Sequence, residues 1–162
     1  MIKSIDHILV AVEDLDKAVK DYSLVFGFGP TWQGNHPSLG TKNALFPFEN
    51  MYLELIAKED EGPLGEFIGD HLKKNGESVF GLALETNDIE QAKEKLSLSL
   101  KVNLEILDGT GLDNISKKKR QWKNILIPMN ISRGVFTLLI EHTSGTLPEH
   151  KDADESNITR MD

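Results

Sequence analysis

The stretch IDHILVAVEDLDKAVKDY, residues 5–22, returns later in the chain as VFGLALETNDIEQAKEKL, residues 79–96. Laid one over the other, Ile5 falls on Val79, Asp14 on Asp88, Leu15 on Ile89 and Ala18 on Ala92. Each copy begins with a run rich in β-branched and aliphatic residues, which reads as a strand. Acidic residues then open a helix, where the positive end of its dipole favours them. In the first copy Leu15, Ala18, Val19, Tyr22, Val25 and Phe26 recur at helical spacing and form an apolar face. Gly27, Gly29 and Pro30 end that helix.

Outward from each copy, three further short strands are expected. In the first half they fall at 31–35, 43–48 and 51–57, with Glu49-Asn50 as a hairpin turn. In the second half they fall at 103–107, 121–129 and 135–141. Leu64, Phe67, Ile68 and Leu72 mark a linking helix over about 62–75, ending at Asn75-Gly76. The chain therefore reads as β-α-β-β-β twice, an α+β domain over 1–145 built from repeats at about 1–60 and 77–145. Residues 146–162 are polar and are expected to form a tail apart from the core.

Bulk composition narrows the function classes. A chain of 162 residues with 39% hydrophobic and 27% charged residues has the balance of one soluble globular domain. Its net charge of -8 argues against nucleic acid, since no excess of Lys and Arg is available for phosphates. The one basic cluster, Lys117-Lys118-Lys119-Arg120, reads as a solvated loop or strand start, or else as an anion contact. The absence of cysteine excludes disulfides, Cys-based zinc sites and a thiol nucleophile. No apolar run approaches the ~20 residues needed to span a bilayer, and MIKSIDHILVAV lacks the apolar core of a signal peptide. The expectation is a cytoplasmic protein with no membrane partner. There is no GxSxG elbow, Walker A loop or strand-borne GxGxxG.

A few side chains carry potential chemistry. His7 lies in an apolar strand beside Asp6, and its ordinary reading is a hydrogen-bonded core histidine. Glu54, in YLELI, either alternates out to water or points inward. Inward is favoured, with a partner such as His7 or a cation, because an unpaired buried carboxylate is costly. In the HPSLGT turn Pro37 and Gly40 fix a tight loop, with His36 either hydrogen-bonded at its edge or lining a pocket with Asn43. Trp32, Phe46, Phe48, Trp122 and Phe136 offer aromatic surface, Trp122 being the candidate pocket face. His71, on the linking helix, and His150, in the tail, are not site candidates.

Two β-α-β-β-β units, with IDHILVAVEDLDKAV, HPSLGTKNAL, YLELIA and LLIEHTSG as their words, resemble the vicinal oxygen chelate superfamily of glyoxalase I, bleomycin-resistance proteins and extradiol dioxygenases. Within it they resemble the glyoxalase-like subgroup, over residues 5–145. The resemblance implies curved mixed sheets around a cleft, with metal ligands on the first and last strands of each module. His7 and Glu54 match two ligand positions, whereas the third falls on Gly81, which has no side chain to offer. Glu141 and His142 compete for the fourth, and strand parity alone leaves the choice open. The acidic residue usual in the subgroup favours Glu141. The implied metal set is thus His7, Glu54 and Glu141, suited to Zn²⁺, Ni²⁺, Mn²⁺ or Fe²⁺, unless the missing ligand means no metal at all. Glu54 or Glu141 would be the catalytic base, removing a proton next to a carbonyl, with His36, Asn43 and Trp122 contacting the substrate. Two functions follow: a metal-dependent lyase, isomerase or dioxygenase for a small oxygenated molecule, or a metal-free protein that sequesters its ligand. A homodimer is implied in either case.

Overall fold

The computed structural model describes residues 2–145 and 160–161. In chain order the elements are β1 (Ile2–Ala11), α1 (Leu15–Phe26), β2 (Trp32–His36), β3 (Thr41–Pro47), β4 (Tyr52–Lys58), α2 (Pro63–Asn75), β5 (Ser78–Thr86), α3 (Ile89–Leu100), β6 (Leu107–Asp113), β7 (Lys119–Ile127) and β8 (Phe136–Ser144). The eight strands close into a barrel in the order β1-β4-β3-β2-β6-β7-β8-β5. Within each module the first strand runs parallel to the last, β1 beside β4 and β5 beside β8. The modules join where β1 pairs antiparallel with β5 and β2 with β6. The expected α+β fold of two modules is therefore present, and closure leaves no bare sheet edge.

Alternation along the strands decides what lies inside the barrel. On β4, Leu53, Leu55 and Ala57 face outward and pack beneath α1 with Val10, Phe26 and Phe46. Their neighbours Tyr52, Glu54 and Ile56 face the interior. On β8, Leu139 packs under α3 with Ile89, Ala92 and Ile125, while Leu138, Ile140 and His142 face inward. Much of the apolar core therefore lies between helices and barrel wall, which leaves room inside. The linking helix α2 lays Leu64, Phe67 and Ile68 against Leu9, Ile56 and Phe80.

The local signals act as the sequence dictates. Asp14 caps α1 by accepting from Lys17 N, and Asp88 caps α3 by accepting from Gln91 N. Gly27 ends α1 in the left-handed region at φ 77°. Phe48 N donates to Met51 O at 2.8 Å, closing the Glu49-Asn50 turn.

Three expectations need correction. Val25 is exposed, because the buried stripe of α1 runs through Leu15, Ala18 and Phe26 and residue 25 is a ~100° step from the last of these. The strand expected at 103–107 begins only at Leu107, since Leu104 instead packs under α3. Phe46 and Phe48 belong to the outer layer, with ring centroids 5.5 and 5.2 Å from that of Phe26. Of the expected tail, Met161 packs against the cluster beneath α1, and its carbonyl accepts from Asn50 Nδ2 at 2.5 Å. Residues 146–159 and 162, with His150, lie outside the described residues. No helix among the described residues is long and apolar enough to cross a membrane.

Candidate functional site

The barrel interior holds a pocket of about 610 Å³, a size that takes a small molecule. Its lining is graded. Arg120, Trp32 and Tyr52 are buried at one end, each no more than 7% exposed, whereas Leu107, Leu126 and Met129 at the other are 38–44% exposed. The exposed end is the mouth, apolar apart from Asp108 beside Leu107.

His7 and Glu54 meet between these ends. Both residues point inward from adjacent parallel strands, and His7 Nε2 lies 3.1 Å from Glu54 Oε2. Asn43 Nδ2 donates to the other oxygen, Oε1, at 2.7 Å. On the far side of the ring, His7 Nδ1 lies 2.7 Å from Asp6 Oδ1. Neighbours on a regular strand point to opposite faces, yet Asp6 reaches His7 and the interior. A register shift between Ile5 and His7 in the β1–β5 ladder marks the irregularity that allows it. Asp6 Oδ2 also accepts from His142 Nε2 at 3.0 Å, and His142 Nδ1 lies 3.4 Å from an Arg120 terminal nitrogen. Glu54, His7, Asp6, His142 and Arg120 thus form one continuous chain.

Proton bookkeeping follows from the donors and acceptors. Burial alone would raise the Asp6 carboxyl, but hydrogen bonds from His142 and His7 outweigh it and hold the group well below the usual carboxylate range. Ionised Asp6 only accepts, so His7 Nδ1 and His142 Nε2 both carry protons. The Nε2···Oε2 contact between His7 and Glu54 then needs one proton, on either atom. Burial pushes His36 below its ordinary value, against the pull of Glu54 and assisted by Arg120. His36 Nδ1 lies 3.0 Å from Thr41 Oγ1, and its ring meets Trp122 edge-on at 5.7 Å. Burial likewise pushes the Tyr52 phenol well above its usual value, and its ring stacks on His7 at 4.7 Å.

The sequence-expected residues His7, Glu54, His36, Asn43 and Trp122 all line this pocket. Glu141 does not, which corrects its assignment as base and ligand. It lies on the outer face of β8, where Oε2 accepts from Ile89 N at 2.9 Å at the start of α3. His142 faces the pocket in its place. The donor set also fails the metal centre that the superfamily implies. A side chain at Gly81 would collide with the Phe136 carbonyl of β8, so that position is filled rather than merely bare. Among the described residues no group of three His, Asp or Glu side chains is placed to hold a metal ion. His7 and Glu54 remain as a pair of donors, and no step is assigned to a metal here.

Sequence reasoning left Asp6 and Tyr52 out of the site and had Arg120 only within a cluster read as solvated or else as an anion contact. Arg120 shares strand parity with Trp122, a signal obscured by the lysines before it. Asp6 had no such signal, because its placement depends on an irregularity in pairing with a distant strand.

A closed barrel of two β-α-β-β-β modules around an interior pocket is the fold of the vicinal oxygen chelate superfamily. The family model described as glyoxalase-like domain matches residues 5–161, and the chain belongs to that family. No curated protein matches the chain. Among solved structures, methylmalonyl-CoA epimerase from Mycobacterium tuberculosis is similar at 22% identity and TM-score 0.66, over 88% of this chain and 90% of that one. Streptomyces coelicolor methylmalonyl-CoA epimerase in complex with 2-nitronate-propionyl-CoA is similar at 23% and 0.64, over 86% and 97%. A hypothetical protein from Bacillus halodurans C-125 is similar at 19% and 0.64, over 89% and 97%. At such identities the likeness carries the fold alone.

Proposed function

We propose that the barrel pocket binds a small oxygenated molecule and that the His7–Glu54 pair moves a proton at a carbon next to its carbonyl. The observation that carries this reading is the pair itself: an imidazole and a carboxylate 3.1 Å apart, in a contact that needs one proton between them, buried yet lining the pocket. Asp6 and Asn43 hold the two partners in place, which leaves the shared proton as the movable part. Asn43 Oδ1 and Asn124 Oδ1 are buried without hydrogen-bond partners among the described residues, and both residues line the pocket, where ligand hydroxyls would satisfy them.

The rival reading is metal-free sequestration of a ligand, favoured by Gly81 at an expected ligand position. A thermal-shift screen of short 2-oxo acids, hydroxycarbonyl compounds and acyl thioesters tests the proposal. Compounds that raise the melting temperature and are turned over by the wild type but not by Glu54→Gln support proton transfer. Equal binding by both proteins without turnover favours sequestration. A screen in which nothing binds rejects the pocket as a ligand site.

A further inference from the structure

Arg120 is the buried cation of the pocket, with only 4% of its surface exposed. Its guanidinium lies over the rings of Trp32 and Tyr52, 5.5 and 5.8 Å from their centroids. One terminal nitrogen reaches His142 Nδ1 at 3.4 Å, and Nε is buried with no hydrogen-bond partner among the described residues. No described carboxylate comes within ion-pair distance of it: Asp6 is held by His7 and His142, and Glu54 by His7 and Asn43. A guanidinium so deeply buried is costly unless its charge and its five N–H groups are answered. The aromatic faces answer part of the charge, His142 and the Tyr52 hydroxyl take terminal N–H groups, and Nε is left unmet.

The lining above Arg120 has a direction. Along β7 the side chains facing the pocket run Arg120, Trp122, Asn124 and Leu126, from cation to apolar mouth. That length of strand spans about 20 Å. Phe67 of α2 and Met129 add apolar surface toward the mouth.

We propose that Arg120 seats the head group of an anionic amphiphile, a monocarboxylate whose apolar chain runs past the His7–Glu54 pair toward the mouth. The proposal deepens the small-molecule reading of this pocket and rests on it. A planar guanidinium fork matches carboxylate and phosphate alike. A carboxylate is the better occupant because Asp6 and Glu54 flank His7, whose ring stacks on the Tyr52 ring that Arg120 lies over. A dianionic phosphate would be set against both more strongly than a monoanion.

Tryptophan fluorescence tests this directly, with Trp32 beneath the guanidinium and Trp122 next along the pocket as reporters. Decanoate, decanamide and decylamine are titrated into the full chain near neutral pH, below the concentrations at which they form micelles. Decanoate is expected to bind at least about tenfold more tightly than decanamide, with decylamine weakest. Arg120→Gln should bring decanoate to the decanamide level, and Arg120→Lys, which keeps the charge without the fork, should fall between. Equal affinity of the wild type for decanoate and decanamide overturns the anion seat while leaving the pocket reading intact. That comparison needs no variant, so it decides the matter even where Arg120→Gln fails to fold. Binding by none of the three overturns the seat as well, and the small-carbonyl screen then judges the pocket separately.

Discussion

Asp6 is the residue on which the site's geometry turns, since it fixes His7 and His142 at once. Replacing it with Asn keeps the shape but substitutes an N–H for one acceptor, leaving one histidine facing a donor. Breaking a buried, charge-assisted network in this way should cost about 3–5 kcal/mol of stability at neutral pH, read from urea midpoints. The pH profile of stability follows from the same residues. His36 has a folded pKa below its ordinary value of 6.5, so the unfolded chain binds that proton first. Its contribution is present above pH ~6.5 and is lost as pH falls below it. Asp6 is also depressed, so its contribution is present above its ordinary carboxyl range and disappears lower, below pH ~4. Urea midpoints measured across pH should therefore decline in two stages, and His36→Gln should flatten only the upper one. Glu54, His36 and Asn43 were legible as site candidates because each is a polar residue in or beside an apolar strand, whereas His7 became one only through the family resemblance. Arg120 was legible only through the second, anion-contact reading of its cluster, because a run of lysines before it makes the whole segment look solvated.

At the level of elements, Glu141 separates two accounts of β8. As a base or ligand its loss would abolish ligand handling. As the acceptor for Ile89 N at the start of α3 it is structural. Glu141→Gln should lower stability by about 0.5–1.5 kcal/mol and leave ligand binding unchanged, which paired melting and titration curves would show. The repeated strand and helix openings were readable because caps, glycine stops and alternation are local. The strand β6 was not, since LDGTGLD carries turn-like glycines whose reason lies on another strand. A side chain at Gly109 would collide with the indole of Trp122, so Gly109→Ala should disturb Trp122 fluorescence and narrow the pocket. Strand parity on β8 was equally unreadable, because apolar residues occupy both faces: Leu138 and Ile140 inside, Leu139 under α3.

For the molecule as a whole, the barrel exists only when both modules are present. The seams β1–β5 and β2–β6 join one module to the other, so the first half alone would bare the edges of β1 and β2. Residues 1–75 expressed alone should associate or unfold, visible as large species or an unfolded profile in size-exclusion chromatography. The same closure places helices and core on the outside and leaves the interior to His7 and Glu54. Proton exchange in heavy water is the measurement closest to that centre. A carbonyl compound that binds the pocket is incubated with the protein in D₂O and followed by proton NMR. The wild type should replace the hydrogen next to the carbonyl with deuterium at least about a hundredfold faster than Glu54→Gln does. Exchange at the same rate with both proteins, or none with a compound that demonstrably binds, would contradict proton transfer by this pair.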